Sequence, residues 1–164
     1  MGLLHNDAHK SPIAQNKYYT HFFSDKTIFF CIFAILNFDA KMKRKTNKEA
    51  ETEMLAKVVA QAMSDKKGTD ITMLDLREVG GAPTSFFVIC TGNSPLHTSA
   101  ISDSIQETVK KTFNINPSST EGYDSAEWIL MDYFDVVAHV FVQKTRDFYG
   151  LEELWADGKR TEIK

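Results

Sequence analysis

The sequence predicts an α/β domain in which a mixed β-sheet is flanked by helices. Three observations lead there. Phe86–Thr91 is a continuous apolar run between turn signals, the mark of a central strand buried on both faces. Two stretches, Glu49–Ser64 and the segment after Ser94-Pro95, repeat apolar residues at helical spacing. Glu127–Trp155 places two apolar runs either side of a short polar turn and follows them with an aromatic, acidic tail. The order helix, strand, strand, helix, strand, strand, short helix suits a mixed sheet with helices against it.

The chain has 164 residues, enough for one compact domain and too few for two comfortable ones. Its 43% hydrophobic and 25% charged content is that of an ordinary globular protein. Residues 1–41 read differently, mixing His, Asn, Lys and Tyr before the run Ile28–Leu36. That run is too short to span a bilayer as a helix, so no membrane partner is expected. It lacks a clear cleavage site for a signal peptide, and the segment has no Arg, unlike a transit peptide. Met42-Lys43-Arg44-Lys45 looks like a natural start. The expectation is that Met42 is the initiator and residues 1–41 a product of start-site assignment; an anchor or targeting segment is the alternative. The domains are then a non-family extension at 1–41, a basic leader at 42–48, the α/β domain at 49–157 and a polar tail at 158–164.

The first helix carries Ala50, Met54, Leu55, Val58, Val59, Ala62 and Met63 on one stripe, with Glu49, Glu51 and Glu53 early, where they suit the helix dipole. Gly68 is its expected C-terminal cap. Asp70–Leu76 reads as a strand before the Gly80-Gly81-Ala82-Pro83 turn. Ser94 is a good N-cap and Pro95 fits the first helical position of a helix reaching about Thr112. Asn114–Ser119 is a polar loop leading to the paired strands.

Catalytic chemistry finds little support. Thr91-Gly92-Asn93-Ser94 resembles a phosphate cradle at a helix start, but no GxxxxGK[ST] or GxGxxG follows. Nucleotidyl transfer needs clustered carboxylates, and Asp132 and Asp135 flank a turn with Tyr133 and Phe134 between them, a surface hairpin more than a metal cradle. His139 reads as structural and Cys90 as a small hydrophobe. Cys31 and Cys90 lie far apart with no CxxC, which fits a reducing, cytoplasmic compartment and no zinc site. No catalytic residue, metal or cofactor is expected. From Met42 onward 15 Lys or Arg face 19 Asp or Glu, so nucleic acid is not the primary partner.

The charge points to protein. Glu121–Asp157 holds nine Asp or Glu and two Lys or Arg, a net of −7. Both tryptophans lie within it, as core residues with the acids a solvated face, or as interface anchors. An acidic, aromatic face complements a basic partner.

The run Trp128–Tyr133, then Asp135–Phe141, Thr145–Tyr149 and Leu151–Trp155 resembles the ribosomal silencing factor family, also called the Iojap family. The resemblance continues upstream through Asp70-Ile71 and Phe86–Gly92 and covers roughly residues 48–157. It implies a nucleotidyltransferase-like α/β fold without the catalytic residues. It implies a factor that binds the large ribosomal subunit through large-subunit ribosomal protein number fourteen, blocks joining of the small subunit and represses translation under nutrient limitation. An assembly role for the large subunit is the alternative within the family, and a nucleotide-binding enzyme the alternative outside it. Carried over by position, Trp128, Leu130, Asp132, Tyr133 and Asp135 form the docking surface, with Tyr149, Leu151 and Trp155 supporting or extending it. Strand alternation puts Trp128, Leu130 and Asp132 on one face, Ile129 and Met131 on the other. The family usually has Gly where this chain has Phe134, and a bulky residue disfavours positive φ there. The resemblance also implies self-association off the ribosome, with the paired strands as the expected dimer edge.

Overall fold

The computed structural model describes residues 47–163, so the reading of the 1–41 extension lies outside the described residues. Helix α1 (Asn47–Asp65) leads into β1 (Thr69–Asp75) and β2 (Phe86–Gly92), then α2 (Pro95–Phe113). Next come β3 (Ser119–Glu121), β4 (Trp128–Asp132) and β5 (Val136–Val142). Two short helices, α3 (Gln143–Tyr149) and α4 (Leu151–Leu154), and strand β6 (Lys159–Ile163) complete the described chain.

The strands form one six-stranded sheet in the order β3-β4-β5-β2-β1-β6. β2 and β5 run parallel, joined by a connection through α2, β3 and β4, and the other neighbours are antiparallel. The sheet is mixed and helix-flanked, as the sequence predicts. β2 is buried along its whole length, in keeping with its unbroken apolar run.

The two faces are covered unequally. α1 and α2 pack together over one face. Val59, Met63, Ile101, Ile105 and Val109 meet Val88, Cys90, Ile129, Met131 and Val140 there. The opposite face carries Leu74, Phe87, Ile89, Leu130, Val137 and Phe141. Only short pieces cover it among the described residues: Leu151 and Trp155 from the α4 region, with half-buried Tyr149, Val79 and Ala82.

Two expectations need correction. Gly68 is not the left-handed residue that ends α1. Lys67 takes that conformation at φ 61, and Gly68 follows it. Lys67 N–H donates to Ser64 O (2.8 Å) and Gly68 N–H to Met63 O (2.9 Å), a Schellman ending. Gly68 is needed for room instead, because a Cβ there lies 3.0 Å from Met63 O and 3.3 Å from Cys90 Sγ. The β4–β5 pair is not a sheet edge either. Ser119–Glu121 pairs with β4, and β2 pairs with β5, so both strands are interior. Among the described residues the open edges are β3 and β6. Within the polar tail, Lys159–Ile163 pairs with β1 while its side chains stay largely exposed. Such a strand is held by backbone hydrogen bonds and has no apolar alternation to announce it.

Candidate functional site

β4 sets the site. Its residues alternate between faces, so Ile129 and Met131 enter the helix-covered core while Trp128 and Leu130 join the opposite cluster. Leu130 is buried at 5% exposure and Trp128 is half-buried. The indole of Trp128 lies over the Phe141 ring, with centroids 4.9 Å apart and planes 23° apart, and Tyr149 of α3 packs against it at 4.6 Å. Its Nε1–H donates to His139 Nδ1 at 3.2 Å. The His139 ring also meets Phe87 edge-on at 4.7 Å. Enclosure among aromatic rings holds the His139 imidazole neutral, its pKa pushed down to about 3 by burial. Among the described residues, His139 Nε2 and the Tyr133 hydroxyl are buried without a hydrogen-bond partner.

Beyond β4 the chain turns in three residues, Tyr133-Phe134-Asp135. Asp135 N–H donates to Tyr133 O (3.0 Å) around Phe134 at φ 68, a γ-turn of the strained hand. Asp132 Oδ1 accepts from Phe134 N–H at 2.6 Å, and Thr84 Oγ1–H donates to Phe134 O at 3.0 Å. The turn thus adopts a positive φ in spite of its bulky residue, braced by neighbours on both sides. The Phe134 ring is left 63% exposed. The Asp135 carboxylate pairs with Lys48 Nζ at 2.9 Å.

The eight residues expected at the docking surface separate by burial. Trp128, Asp132, Asp135 and Tyr149 are partly exposed. Leu130, Leu151 and Trp155 are buried in the cluster beneath them. Tyr133 is in the helix-covered core on the far side of the sheet, 4% exposed, because it follows Ile129 and Met131 in the alternation. Burial pushes its hydroxyl above the usual tyrosine range.

Sequence reading passed over Arg146. It is buried in α3 and reaches across the thinly covered face. Nε and Nη2 donate to Glu152 Oε1 of α4 (2.9 and 2.5 Å), Nη1 to Thr91 Oγ1 of β2 (2.8 Å) and Nη2 to Thr72 Oγ1 of β1 (3.4 Å). One guanidinium therefore ties both short helices to two strands. No sequence signal marks this role, since an arginine in a polar stretch ordinarily reads as solvated.

The polar groups of the Thr91–Ser94 turn bond to one another and to the first turn of α2. Asn93 N–H donates to His97 Nδ1 (3.1 Å) and His97 N–H to Ser94 Oγ (3.2 Å). A Cβ on Gly92 lies 2.8 Å from Thr98 Cγ2, so this glycine serves close packing against α2. No group of three or more His, Cys, Asp or Glu side chains is placed to hold a metal ion among the described residues. No helix among them is long and apolar enough to cross a membrane.

A profile of the family described as "Ribosomal silencing factor during starvation" matches residues 48–164. The chain is similar to the ribosomal silencing factor RsfS of Bacillus subtilis, 36% identical over 109 residues, or 66% of this chain and 91% of that protein. It is also similar to the chloroplastic protein Iojap of Zea mays, 35% identical over 115 residues, or 70% of this chain and 49% of that one. The crystal structure of a protein from Chromobacterium violaceum matches the fold with a TM-score of 0.61 at 31% identity, covering 69% of this chain and 92% of that chain. One from Bacillus halodurans gives 0.58 at 32% identity, covering 68% and 99%. Matched along its whole α/β domain in sequence and in fold, the chain belongs to the ribosomal silencing factor family.

Proposed function

We propose that the chain binds the large ribosomal subunit through large-subunit ribosomal protein number fourteen. Bound there, it sterically blocks joining of the small subunit and represses translation under nutrient limitation. Membership of a family whose members are named ribosomal silencing factors supports the ribosome as partner. The observation that carries the docking surface is the half-buried Trp128, stacked on Phe141, packed against Tyr149 and neighboured in sequence by acids. An aromatic anchor on a firm base, edged by charge, is how a small face acquires affinity for a basic protein. Trp128, Asp132, Asp135 and Tyr149 make the contact, and Leu130, Leu151 and Trp155 support it from beneath. Tyr133 acts at one remove, through the core behind β4. The reading assigns the chain no catalytic step.

Sedimentation of the protein with purified large and small subunits at physiological salt tests this. Co-migration with large subunits alone, and loss of joined ribosomes, is the expected result. Trp128→Ala combined with Asp135→Lys removes the anchor and inverts a charge, so binding is lost while circular dichroism still reports a folded chain. Binding to neither subunit, or unchanged binding by the folded double variant, overturns the assignment.

A further inference from the structure

Docking rests on the Trp128 indole, and that indole turns its polar atom inward. Nε1–H donates to His139 Nδ1 at 3.2 Å. A ring nitrogen that accepts is unprotonated, so the neutral imidazole carries its proton on Nε2. That Nε2–H is buried and has no partner among the described residues. A buried donor without a partner is unfavourable; a leucine or phenylalanine would remove this one but would take the acceptor from the Trp128 N–H. β5 is otherwise apolar from Val136 to Val142 and closely enclosed. What histidine supplies at this place, and an apolar residue cannot, is the Nδ1 acceptor for the Trp128 N–H.

We propose that His139 is a positioning residue for docking, its Nδ1 holding the Trp128 N–H inward so that a partner meets the apolar ring. The indole is then fixed from several sides, by His139 at its nitrogen, by Phe141 stacked at 4.9 Å and by Tyr149 at 4.6 Å. With the N–H consumed inside the protein, Trp128 offers no hydrogen bond outward. The matching group on a basic partner is an aliphatic side chain, or a guanidinium or ammonium lying over the ring, and not a hydrogen-bond acceptor. This rests on the docking reading above.

Nitrogen-15 NMR of the full chain and subunit sedimentation test it together. In the wild type, His139 shows a bare Nδ1 and a protonated Nε2. The Trp128 indole N–H, assigned with Trp128→Phe, exchanges with water about tenfold more slowly than in His139→Leu. His139→Asn, whose amide oxygen falls near the place of Nδ1, keeps the slow exchange. Affinity for large subunits drops about tenfold in His139→Leu and stays within about threefold of wild type in His139→Asn. A protonated Nδ1 in the wild type, equal indole exchange in wild type and His139→Leu, or wild-type affinity in His139→Leu overturns the proposal. If His139→Leu does not fold, the wild-type tautomer and the His139→Asn affinity still decide it. Absence of binding by the wild type removes the docking role, and the NMR distinguishes that failure from a misplaced indole.

Discussion

Phe134 holds a backbone angle that an L side chain resists. Its φ of 68 costs about 1–2 kcal/mol relative to a right-handed conformation, and its exposed ring recovers little by burial. Phe134→Gly relieves that strain but adds freedom to the unfolded chain. A net gain of about 0.5–1 kcal/mol in unfolding free energy, read by urea titration, is expected; a loss would show that the ring contributes to the fold. His139 makes an opposite, pH-dependent contribution. Burial lowers its pKa from 6.5 to about 3, so the unfolded chain takes up a proton that the folded chain refuses. Stability is therefore full above pH 6.5 and falls as pH drops, by up to about 1.4 kcal/mol per pH unit, until about pH 3. Urea titrations at pH 7 and pH 5 read this before the carboxylates titrate. Wild type loses about 2 kcal/mol between them from this group, and His139→Phe loses correspondingly less. Equal losses in the two proteins would assign the acid sensitivity elsewhere.

At the scale of elements, the short helices are the weak point of the design. α3 and α4 together bring 11 helical residues, are broken at Gly150, and have no side-chain N-cap. Alone, helices of that length do not persist in water. Arg146 supplies what they lack, a buried anchor to Glu152, Thr91 and Thr72. Arg146→Met leaves Glu152 without its partner and costs about 3 kcal/mol by chemical denaturation. Adding Glu152→Leu removes the stranded charge and restores more than half of that loss. A double variant no better than the single one would mean that the threonine contacts, not the ion pair, carry the anchor. Elements with their own signal were legible in sequence: the stripe of α1, the apolar run of β2, and Ser94-Pro95 at the start of α2, where Ser94 Oγ does accept from His97 N–H. β3 and β6 were not. They are edge strands with largely exposed polar side chains, and pairing alone makes them strands.

At the scale of the molecule, the sheet is thickly covered on one face and thinly on the other. Strand order brings Trp128 of β4, Phe141 of β5 and Tyr149 of α3 together on the thin side. Nine of the chain's acids fall between Glu121 and Asp157, so charge and aromatic anchor share one stretch of chain. Charge at the border of a face governs encounter more than residence. Asp135→Lys alone is therefore expected to slow association with large subunits several-fold at low salt. The effect fades as salt rises, because the Debye length shrinks to about 10 Å at 0.1 M and less beyond. Stopped-flow association across a salt series measures it, and a rate insensitive to Asp135→Lys at low salt would place the acidic border away from the contact.

The sequence by itself determined the class of fold, the position of the central strand, the capped start of α2 and the stretch that carries the family's signature. These are local properties, written in periodicity, in turn residues and in the run of residue types. Only the tertiary structure decided which signature residues reach solvent. Trp128 and Tyr133 look equally suited to an interface in one dimension. They stand five positions apart along β4 and its turn, an odd offset, and the pleat sends one to the thin side and the other beneath α1 and α2. Tertiary structure also decided the partners of His139 and Arg146. Each is bound to residues distant in sequence, and chemistry of that kind exists only once the strands have been brought side by side.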